Sequence, residues 1–585
     1  MTLLAVLLIA AAAPSAPQVR YTLVIDTAHL DVIAVQMRIS NAPDSFTVAS
    51  HAHPEYDDKY WRYLEGMQAT GAHVTRRDSV LWTVTDARGE LTLNYRIRVP
   101  ESALPRAAWR AYLTRTGGLV GGPHSFLYIV GAERTPATVS VQMPRGWIAA
   151  SALPGLSGQF NARNAFELME SPILVGQLRR WEFQVKNVPH HVFYLPGSAP
   201  APFDTTAFVN GIRRIVEQTT NVFAHMPYRE YYFLIADDAY GGLEHPNSVT
   251  LGVRSAQLAE NPYVSAEEVG HEFFHTWNLM SIKPAEYRGV DYRVQPPVSS
   301  LWFSEGLSVF YADLMMRRAG FVMDEPTRIH HLQVLVERYL RDPAYERYSA
   351  EDISRVEYNT PAGTLGNFDP SSHLIGEVIA AALDFLVRDA TDGRRTIDDV
   401  MRKMEERHTS RGFTGRDVER VVAQVCACTA AEFFDRHVRG HARIDFNRYL
   451  EPLGLRMTVT SRPALSPTGE VERDFRIGAF QPAPQDTLRL LLWQGGGIWG
   501  AAGLNTNDRI LSVNGKAVKT WPEFRSAIVA VPLGQTVTFD IVRGANRMQV
   551  PVVMRGYQRE AVAIIEIPEA TARQQRLRAQ WLAGR

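Results

Sequence analysis

Two histidines and a glutamate in the stretch His271-Glu272-Phe273-Phe274-His275 have types and spacing suited to metal chemistry. In an α-helix residues i and i+4 share one face, so the imidazoles of His271 and His275 would point the same way and could hold one zinc ion. Glu272 lies about 100° further round the helix than His271 and is poorly placed to be a third ligand. We expect it to approach a water molecule held by the ion and to accept its proton as a general base.

The surrounding sequence predicts the helix that would carry these residues. Ser265 is a favourable N-cap, Glu268 would complete a capping box, and Val264 and Val269 are spaced for a hydrophobic staple. His-Glu-x-x-His on a helix is the arrangement found in zinc peptidases. In a chain with 17 histidines it would also arise by chance with a probability on the order of a few per cent, so residues outside this helix must support it.

A third protein ligand is expected, because a catalytic zinc commonly has three protein ligands and one open position for water. Glu305 is the leading candidate, since it follows His275 by 30 positions and lies on the next predicted helix, from about 300 to 319. It is the only acidic residue in the largely apolar stretch from 298 to 311. A carboxylate buried there without a cation would cost several kcal/mol. The alternative is a surface acid on a helix.

The sequence Gly241-Gly242-Leu243-Glu244-His245 stands between two predicted strands, 231 to 236 and 248 to 253. We expect it just before the edge strand that would run past the metal. A carboxylate there could pair with the free ammonium group of a substrate, while Gly241 and Gly242 would let the backbone come close to a bound peptide. Glu244 would then measure one residue from the N-terminus, which is the geometry of an exopeptidase. The alternative for a short Gly-Gly run is a turn.

Length and composition are those of an ordinary folded protein with several domains. The chain has 585 residues, 45% of them hydrophobic and 21% charged, and its net charge is zero. About three or four domains are expected at this length. The balanced charge predicts no nucleic-acid partner and no polybasic membrane contact.

The N-terminus predicts export. Residues 3 to 13 form an unbroken run of apolar and small residues followed by prolines, which suits the hydrophobic region of a signal peptide over residues 1–16 but is too short to span a bilayer. A periplasmic or secreted location is therefore expected. No Lys or Arg precedes the run, and the alternative is a frayed or misassigned N-terminus. No later stretch is long enough for an integral membrane segment.

Changes in periodicity predict the domain organisation. Residues 17–197 alternate apolar and polar residues, which indicates a β-sandwich. Residues 198–448 follow a proline-rich joint and predict a mostly helical catalytic domain with a small sheet beside the histidine motif. Its further helices are expected over 205–225, 372–389, 397–407 and 430–439, the last with a capping box from Thr429 and Glu432. Cys426 and Cys428 are expected to be buried or joined to each other locally, without a catalytic role.

Short strands return after residue 449. Ala502-Gly503-Leu504 and the run from Asp508 to Gly515 resemble the core of a PDZ domain, which we assign to 449–556. PDZ domains bind extended C-terminal peptides by strand addition beside an amide-lined carboxylate loop. Residues 452–455 are the candidate loop, and whether this domain binds peptides or only packs on the catalytic domain stays open. Residues 557–585 are expected to be a charged, solvated helix or a frayed end.

Three motifs together resemble the glycyl aminopeptidase family, zinc peptidases with a C-terminal PDZ domain that are related to aminopeptidase N and the leukotriene hydrolases. They are Gly-Gly-Leu-Glu-His at 241–245, His-Glu-Phe-Phe-His-Thr-Trp-Asn at 271–278 and Leu-Trp-Phe-Ser-Glu-Gly at 301–306. The resemblance spans about residues 20 to 555. It implies an N-terminal β-domain, a thermolysin-like catalytic domain and a PDZ domain, and an activity that removes small N-terminal residues, typically glycine or alanine.

The resemblance also implies residue roles. It carries zinc binding to His271, His275 and Glu305, the general base to Glu272, and amine recognition to Glu244. Relatives have Tyr-x-x-Gly on the helix after the zinc site, and the tyrosine hydroxyl steadies the oxyanion.

This chain has His373-Leu374-Ile375-Gly376 where relatives have that tyrosine motif, so His373 stands at the tyrosine position. An oxyanion donor is commonly worth about 3 kcal/mol in the transition state, and an imidazole N–H could serve as that donor. An inert replacement and a shifted alignment are the alternatives, with Tyr358 and Tyr311 as reserve candidates.

The sequence therefore predicts a multidomain α+β protein and a zinc-dependent aminopeptidase with one Zn²⁺ per chain. Its expected partners are peptides with a free N-terminus and a C-terminal peptide ligand at the PDZ domain. The alternative from another class is an exported PDZ-type binding or scaffold protein with a decayed metallopeptidase site. A nearer alternative is an endopeptidase that uses the same zinc.

Overall fold

The computed structural model describes residues 16–50, 60–99, 106–223, 225–288, 293, 296–321, 325–358, 360–482 and 486–585. The predicted signal peptide, 1–16, lies outside the described residues except for its last position. The described residues form two compact units. The N-terminal unit takes its described residues from Met1–Val216, Pro227–Thr276 and Asp291–Gln295, and the C-terminal unit from Glu217–Met226, Trp277–Val290 and Pro296–Arg585.

The first part of the chain is rich in strands. In chain order they are β1 (Gln18–Val24), β2 (Val32–Ala42), β3 (Phe46–Ala49), β4 (Leu64–Thr70), β5 (His73–Arg76), β6 (Leu81–Thr85), β7 (Gly89–Arg98), β8 (Arg106–Ala107), β9 (Tyr112–Leu113), β10 (Gly117–Gly121), β11 (Tyr128–Ile129), β12 (Ala137–Gln142), β13 (Ile148–Ala150), β14 (Gly155–Leu156), β15 (Gln159–Ala162), β16 (Pro172–Gly176), β17 (Arg179–Val185), β18 (Val188–Leu195), β19 (Tyr231–Asp237), β20 (Ala239–Tyr240), β21 (Gly242–Glu244) and β22 (Ser248–Val253). The helices among them are α1 (Ala165–Met169), α2 (Thr205–Val222), α3 (Ser255–Glu260) and α4 (Ala266–Phe274).

The later part begins with helices and ends with short strands. Its helices are α5 (Leu301–Arg318), α6 (Glu325–Arg341), α7 (Ala350–Val356), α8 (Ser372–Thr391), α9 (Ile397–His408), α10 (Gly415–Cys426), α11 (Ala431–His437), α12 (Phe446–Leu450), α13 (Ile498–Ala501), α14 (Trp521–Val529) and α15 (Ala572–Leu582). Its strands are β23 (Leu455–Pro463), β24 (Ile477–Phe480), β25 (Arg489–Leu492), β26 (Arg509–Val513), β27 (Lys516–Ala517), β28 (Thr536–Arg543), β29 (Asn546–Val553) and β30 (Gln558–Glu566).

Alternating burial organises the N-terminal unit. Its largest sheet has the strand order β14-β15-β12-β1-β2-β7-β4, and two four-stranded sheets accompany it. In β2 the side chains of Ile33, Val35, Met37 and Ile39 are buried while those between them are exposed or half-buried. This is the period of two that a half-buried strand requires, and the prediction of a β-rich N-terminal part is confirmed.

A second sheet of this unit carries the strand that matters for the site. Its order is β17-β18-β19-β22-β21, with β18, β19 and β22 parallel and β21 antiparallel to β22. The expectation that the Gly-Gly-Leu-Glu run precedes the edge strand is wrong, because Gly242–Glu244 is itself the edge strand. The strand from Ser248 to Val253 lies inside the sheet. The run reverses direction at Ser248, whose carbonyl accepts from the N–H of His245.

The middle of the chain is helical, as predicted, with differences at several helix ends. Helix α11 begins after Ala430, which has no side-chain capping bond, so the predicted Thr429 cap is wrong. Sequence patterns did not indicate α6, α7, α10 and α12. Cys426 ends α10 and forms a disulfide with Cys428. Among the described residues, no helix combines the length and the apolar content needed to cross a membrane.

The PDZ region has its own sheet and core. The sheet order is β24-β25-β26-β28-β29, β27 pairs with β26, and α14 covers a core that includes Leu490, Phe524 and Phe539. The predicted tight turn at Asn514-Gly515 is present, with φ of 50° and 76°. The predicted carboxylate loop at 452–455 is wrong, because this stretch leads into β23, which pairs with β30 outside the PDZ sheet.

The C-terminal residues are not a solvated tail, which corrects the sequence-based expectation. Helix α15 is capped by Thr571 and buries Leu577, Trp581 and Leu582. The indole of Trp581 packs edge-on against Phe385 of α8, with ring centroids 5.4 Å apart. The end of the chain therefore completes the core of the C-terminal unit.

Candidate active site

Helix α4 holds the histidine pair in the N-terminal unit. Ser265 is its N-cap as predicted, but makes no side-chain capping bond, so the predicted capping box is wrong. His275 follows the helix as its C-cap and keeps helical dihedrals. The Nε2 atoms of His271 and His275 lie 3.1 Å apart, and their rings are nearly perpendicular. The i, i+4 spacing therefore brings the two imidazoles to one point.

The histidine pair suits one zinc ion. Two nitrogens bound at about 2.0–2.1 Å to a tetrahedral ion would be separated by about 3.3 Å, close to the spacing of His271 and His275. Imidazole nitrogens are common zinc ligands, and a carboxylate is a frequent third.

Edge strand β21 passes directly against the predicted base. A Cβ atom on Gly242 would lie 2.5 Å from Cγ and Cδ of Glu272, so only glycine leaves room for this carboxylate. Glu272 is buried, with 6% of its surface exposed. The preceding Gly241 has φ of 69°, a left-handed conformation that glycine adopts without strain. Gly242 therefore allows close packing between the strand and the helix that carries the histidines, and Gly241 supplies the positive φ just before the strand.

Glu244 lies on the same face of β21 as Gly242, because side chains two residues apart on a strand share a face. That is the face against which Glu272 packs. Glu244 is 3% exposed, and its Oε1 has no hydrogen-bond partner among the residues that the structure describes. A buried carboxylate oxygen in this state is costly unless a cation or donor approaches it.

The hydroxyl of Tyr231, on β19, lies near enough to both carboxylates for their charges to affect its pKa. Burial raises the pKa of the Tyr231 hydroxyl, and the charges of Glu272 and Glu244 raise that pKa further. The hydroxyl itself is bonded to Thr276 at 3.3 Å and to the carbonyl of Ser248 at 3.2 Å. Two buried carboxylates thus stand near one neutral phenol.

His245, the residue after Glu244, pairs with the carboxylate of Glu170. Its Nδ1 is 3.1 Å from a carboxylate oxygen of Glu170, and both side chains are buried. This pair fixes the end of β21 immediately after Glu244. It is a structural contact that the sequence did not reveal, since the two residues are 75 positions apart.

Glu305 is the centre of a polar cluster in the C-terminal unit. It is 3% exposed on α5. Its Oε1 accepts a hydrogen bond from the Tyr358 hydroxyl at 3.1 Å, and its Oε2 lies 3.1 Å from Nε2 of His373. The Nδ1 of His373 lies 3.3 Å from Glu357. Glu305 is therefore a buried, oriented carboxylate, as expected of a metal ligand and unlike a surface acid.

The two reserve tyrosines differ in their contacts. Tyr358 touches Glu305, whereas the hydroxyl of Tyr311 donates to Asp398 at 2.8 Å and is fully buried. Tyr311 is thus committed to the helical core. The contact of Tyr358 with Glu305 could not be assigned from the sequence, where no helical period links the two residues.

A close helix crossing places Glu305 and His373 together. A Cβ atom on Gly306 would lie 2.2 Å from Cα of Gly376, and one on Gly376 would lie 2.0 Å from the carbonyl of Trp302. Helices α5 and α8 can approach this closely because glycine stands at both contact points. Gly306 directly follows Glu305, and Gly376 lies within one helical turn of His373.

His373 has an unusual environment for an imidazole. Burial favours its neutral form, but the charges and hydrogen bonds of Glu305 and Glu357 outweigh burial and hold the pKa of His373 well above its ordinary value. Each ring nitrogen of His373 faces one of these two carboxylates at hydrogen-bond distance.

Asn278 ties the end of the histidine motif to the start of α5. It follows His275 by three residues in the chain. Its side-chain amide donates to the carbonyls of Phe303 at 3.1 Å and Ser304 at 2.9 Å, the two residues before Glu305. The asparagine of the His-Thr-Trp-Asn sequence thereby fixes the helical turn that presents the predicted third ligand, a role that sequence reasoning did not assign.

Comparison with protein families gives three matches. The profile described as M61 glycyl aminopeptidase matches residues 265–368, and that of the peptidase M61 N-terminal domain matches 20–177. A PDZ domain profile matches 500–553. Among curated proteins none matches the chain.

Comparison with solved structures finds one that shares the fold over nearly the whole chain. An aminopeptidase N family protein from Idiomarina loihiensis has 19% identity and a TM-score of 0.75, and the match covers 97% of this chain and all of that one. An M1 zinc metallopeptidase variant from Deinococcus radiodurans, bound to the peptide Tyr-Ser-Ala, has 16% identity and a TM-score of 0.46 over 73% of this chain and 95% of that one. Yeast LTA4 hydrolase in complex with bestatin has 13% identity and a TM-score of 0.46 over 75% and 70%.

Proposed function

We propose that this chain, which matches the profiles of M61 glycyl aminopeptidase and of the M61 N-terminal domain, is a zinc-dependent aminopeptidase acting on peptides with a small N-terminal residue such as glycine or alanine. The observation that carries this proposal is a pair of buried carboxylates: Glu244 on edge strand β21, and Glu272 of α4, which packs against Gly242 on the same face of that strand. Glu272 lies beside the histidine pair, in the position of a general base. Glu244 has a buried carboxylate oxygen to which a substrate ammonium group could donate a hydrogen bond.

We propose that His271, His275 and Glu305 hold one zinc ion per chain. The donor set of two imidazoles and one carboxylate is that of catalytic zinc sites in metallopeptidases. The spacing of the two Nε2 atoms and the burial of Glu305 support this assignment. When bound, zinc polarises the scissile carbonyl and lowers the pKa of a water molecule.

Glu272 would move the proton. Its carboxylate accepts a proton from the attacking water and delivers it to the nitrogen of the leaving amine. The tight contact with Gly242 restricts the rotamer of this side chain, which keeps the carboxylate in one orientation during both transfers. Burial also strengthens its interaction with the proton that it moves.

Glu244 would recognise the α-ammonium group. A charge-assisted hydrogen bond between a buried carboxylate and an ammonium is stronger than a neutral one. Because β21 is an edge strand, a peptide can lie along it with its backbone bonded to the strand. An ammonium at Glu244 ends that peptide, so hydrolysis releases a single residue.

His373 would assist as the oxyanion donor in place of the family's tyrosine. Its imidazole lies beside Glu305, with Nε2 3.1 Å from Oε2 of that residue, and an imidazole N–H can donate to an oxyanion. Tyr358 would orient Glu305 through its hydrogen bond to Oε1, as residues around metal ligands commonly do.

The remaining expectations concern location and the PDZ domain. The apolar run at residues 3–13 supports export to the periplasm or secretion, which fractionation of a tagged full-length chain would test. The free edge of β24, which pairs only with β25 among the described residues, supports binding of a C-terminal peptide by strand addition.

The test combines zinc content with substrate selectivity. Purified protein is expected to contain one zinc per chain and to hydrolyse glycine amide and alanine amide much faster than N-acetylglycine amide. Glu272→Gln is expected to abolish turnover and to keep the zinc. Zinc binding without turnover of any aminoacyl substrate would favour a scaffold protein, and cleavage of N-acetylated peptides would favour an endopeptidase.

A further inference from the structure

The residues that lead into α8 are held by the PDZ domain. We call residues 360–371 the docking loop; it ends two residues before His373. The Asn507 side chain donates to the carbonyl of Ala362. The N–H of Thr506 donates to the Asn367 side chain at 2.8 Å.

Gln494 adds a third attachment to the docking loop. It pairs with Phe368 as an isolated antiparallel bridge. Its side-chain amide donates to the carbonyl of Arg341, at the end of α6, at 2.7 Å. The PDZ domain thus contacts the docking loop at three places along its length.

A cavity of about 320 Å³ lies between the docking loop and the PDZ domain. It is lined by Glu357, Leu365 and Phe368 and, from the PDZ domain, by Phe480 and Leu491. The loop is also held from outside the PDZ domain, because the Tyr348 hydroxyl donates to the carbonyl of Leu365 at 3.1 Å and the Tyr345 hydroxyl to that of Ser371 at 3.3 Å. The hydrogen bonds from the PDZ domain add to these contacts, and they are the ones that reach residues 362 and 367.

The end of the docking loop connects to the Glu305 cluster. The N–H of Ser372 donates to Oε2 of Glu357 at 2.9 Å, and the other oxygen of Glu357 faces His373. A shift of the docking loop would move the first turn of α8, and with it the imidazole that lies against Glu305.

We propose that the PDZ domain is a positioning element of the active site: Gln494, Thr506 and Asn507 hold the docking loop, and the loop sets the place of His373. This proposal rests on the proposed aminopeptidase function for its kinetic consequence. The proposal gives the PDZ domain a role in packing on the catalytic part of the chain, because its loop at 505–507 supports the segment that leads to His373.

The variant that tests the proposal is Asn507→Asp in the full chain. A carboxylate keeps the shape of the side chain and tolerates the positive φ of 75° at this position, but it cannot donate to the carbonyl of Ala362. Asn514→Asp is the matched control. Asn514 also has a positive φ, of 50°, and its side-chain oxygen accepts from the N–H of Thr538, a bond that aspartate retains.

Two readouts are expected to change in Asn507→Asp and not in the control. The kcat for glycine amide falls about tenfold while KM changes less than about twofold, with zinc content and thermal midpoint unchanged. Hydrogen exchange of the backbone amides from 364 to 376 becomes faster. An unchanged kcat in an active enzyme overturns the proposal, and so does unchanged exchange. If the wild type hydrolyses no aminoacyl substrate, the proposed function fails, and the exchange of the amides around His373 still decides whether the PDZ domain positions them.

Discussion

The carboxylate of Glu272 lies so close to Cα of Gly242 that a methyl group on this glycine would stand 2.5 Å from Cδ of the glutamate. One of the two must move if a side chain is added, because carbon atoms at this distance overlap. The flexible glutamate is the group that would yield, and it is the proposed general base.

Gly242→Ala is therefore expected to lower kcat about a hundredfold, the lower end of what a general base contributes, with a smaller change in KM. Steady-state kinetics with glycine amide measure this. Gly496→Ala is the control, because a Cβ there would meet no atom within 4 Å. A Gly242→Ala enzyme with normal kcat would mean that Glu272 is not the base.

Glu244→Gln is expected to reduce kcat/KM for glycine amide by about a hundredfold or more, since breaking a buried charge pair costs about 3–5 kcal/mol. The ratio of kcat/KM for glycine amide to kcat/KM for N-acetylglycine amide should fall at the same time, because the acetylated substrate has no ammonium group for Glu244 to bind. The comparison of both substrates distinguishes lost recognition from general damage. Glu260→Gln, at an exposed position on α3, serves as the control. Equal losses on both substrates would contradict amine recognition by Glu244.

His373→Phe is expected to lower kcat about a hundredfold with little effect on KM, as removal of an oxyanion donor does. His373→Tyr restores the hydroxyl of the family motif and should keep kcat within about tenfold of the wild type. Zinc content, measured in parallel, should be the same in all three proteins. If His373→Phe is fully active, the donor is another group, and Tyr358, which contacts Glu305, is the next to replace.

The burial of His190 predicts that the free energy of unfolding depends on pH. It is fully buried on β18, bonded to the Val188 carbonyl and the Tyr228 hydroxyl, and stacked on Phe183. Burial lowers the pKa of His190 to about 4. The unfolded chain, with an ordinary histidine pKa of about 6.5, therefore binds the proton first as the pH falls.

The stabilisation from neutral His190 is present above about pH 6.5 and is lost as the pH falls toward about 4. Between about pH 7 and pH 5 the free energy of unfolding should decrease by about 2 kcal/mol from this residue. Urea unfolding of the wild type and His190→Gln at both pH values measures the difference. The variant should lose less stability than the wild type between the two pH values.

Sequence patterns predicted the features that depend on local spacing. The i, i+4 histidines meet as expected, the period of two indicated the strands of the N-terminal unit, and the Asn514-Gly515 turn is present. These features follow from dihedral periodicity within a few residues. The burial of Glu305 was also predictable, because the apolar residues on both sides of it carry the helix, and the carboxylate with it, into the core.

Features set by distant residues were missed or predicted wrongly. That β21 is the edge strand depends on how β22 pairs with β19, which no local pattern reveals. The stretch at 452–455 leads into β23, whose partner strand β30 lies about a hundred residues later in the chain. No pattern near 452–455 could reveal so distant a partner. The tail has only three buried apolar residues on α15, too few to signal that it docks against α8.

The pairing of β23 with β30 sets the way the PDZ domain is joined to the rest of the chain. Pro463 and Gln558 stand opposite each other at the end of this ladder, so everything between them leaves and returns at one point. The domain is thus a cassette inserted in a hairpin, and the ladder closes whether the insert is long or short, since loop-closure entropy grows slowly with length. Genetic exchange at these two positions could replace the PDZ domain with another module, or remove it, while β23, β30 and α15 keep their places in the C-terminal unit.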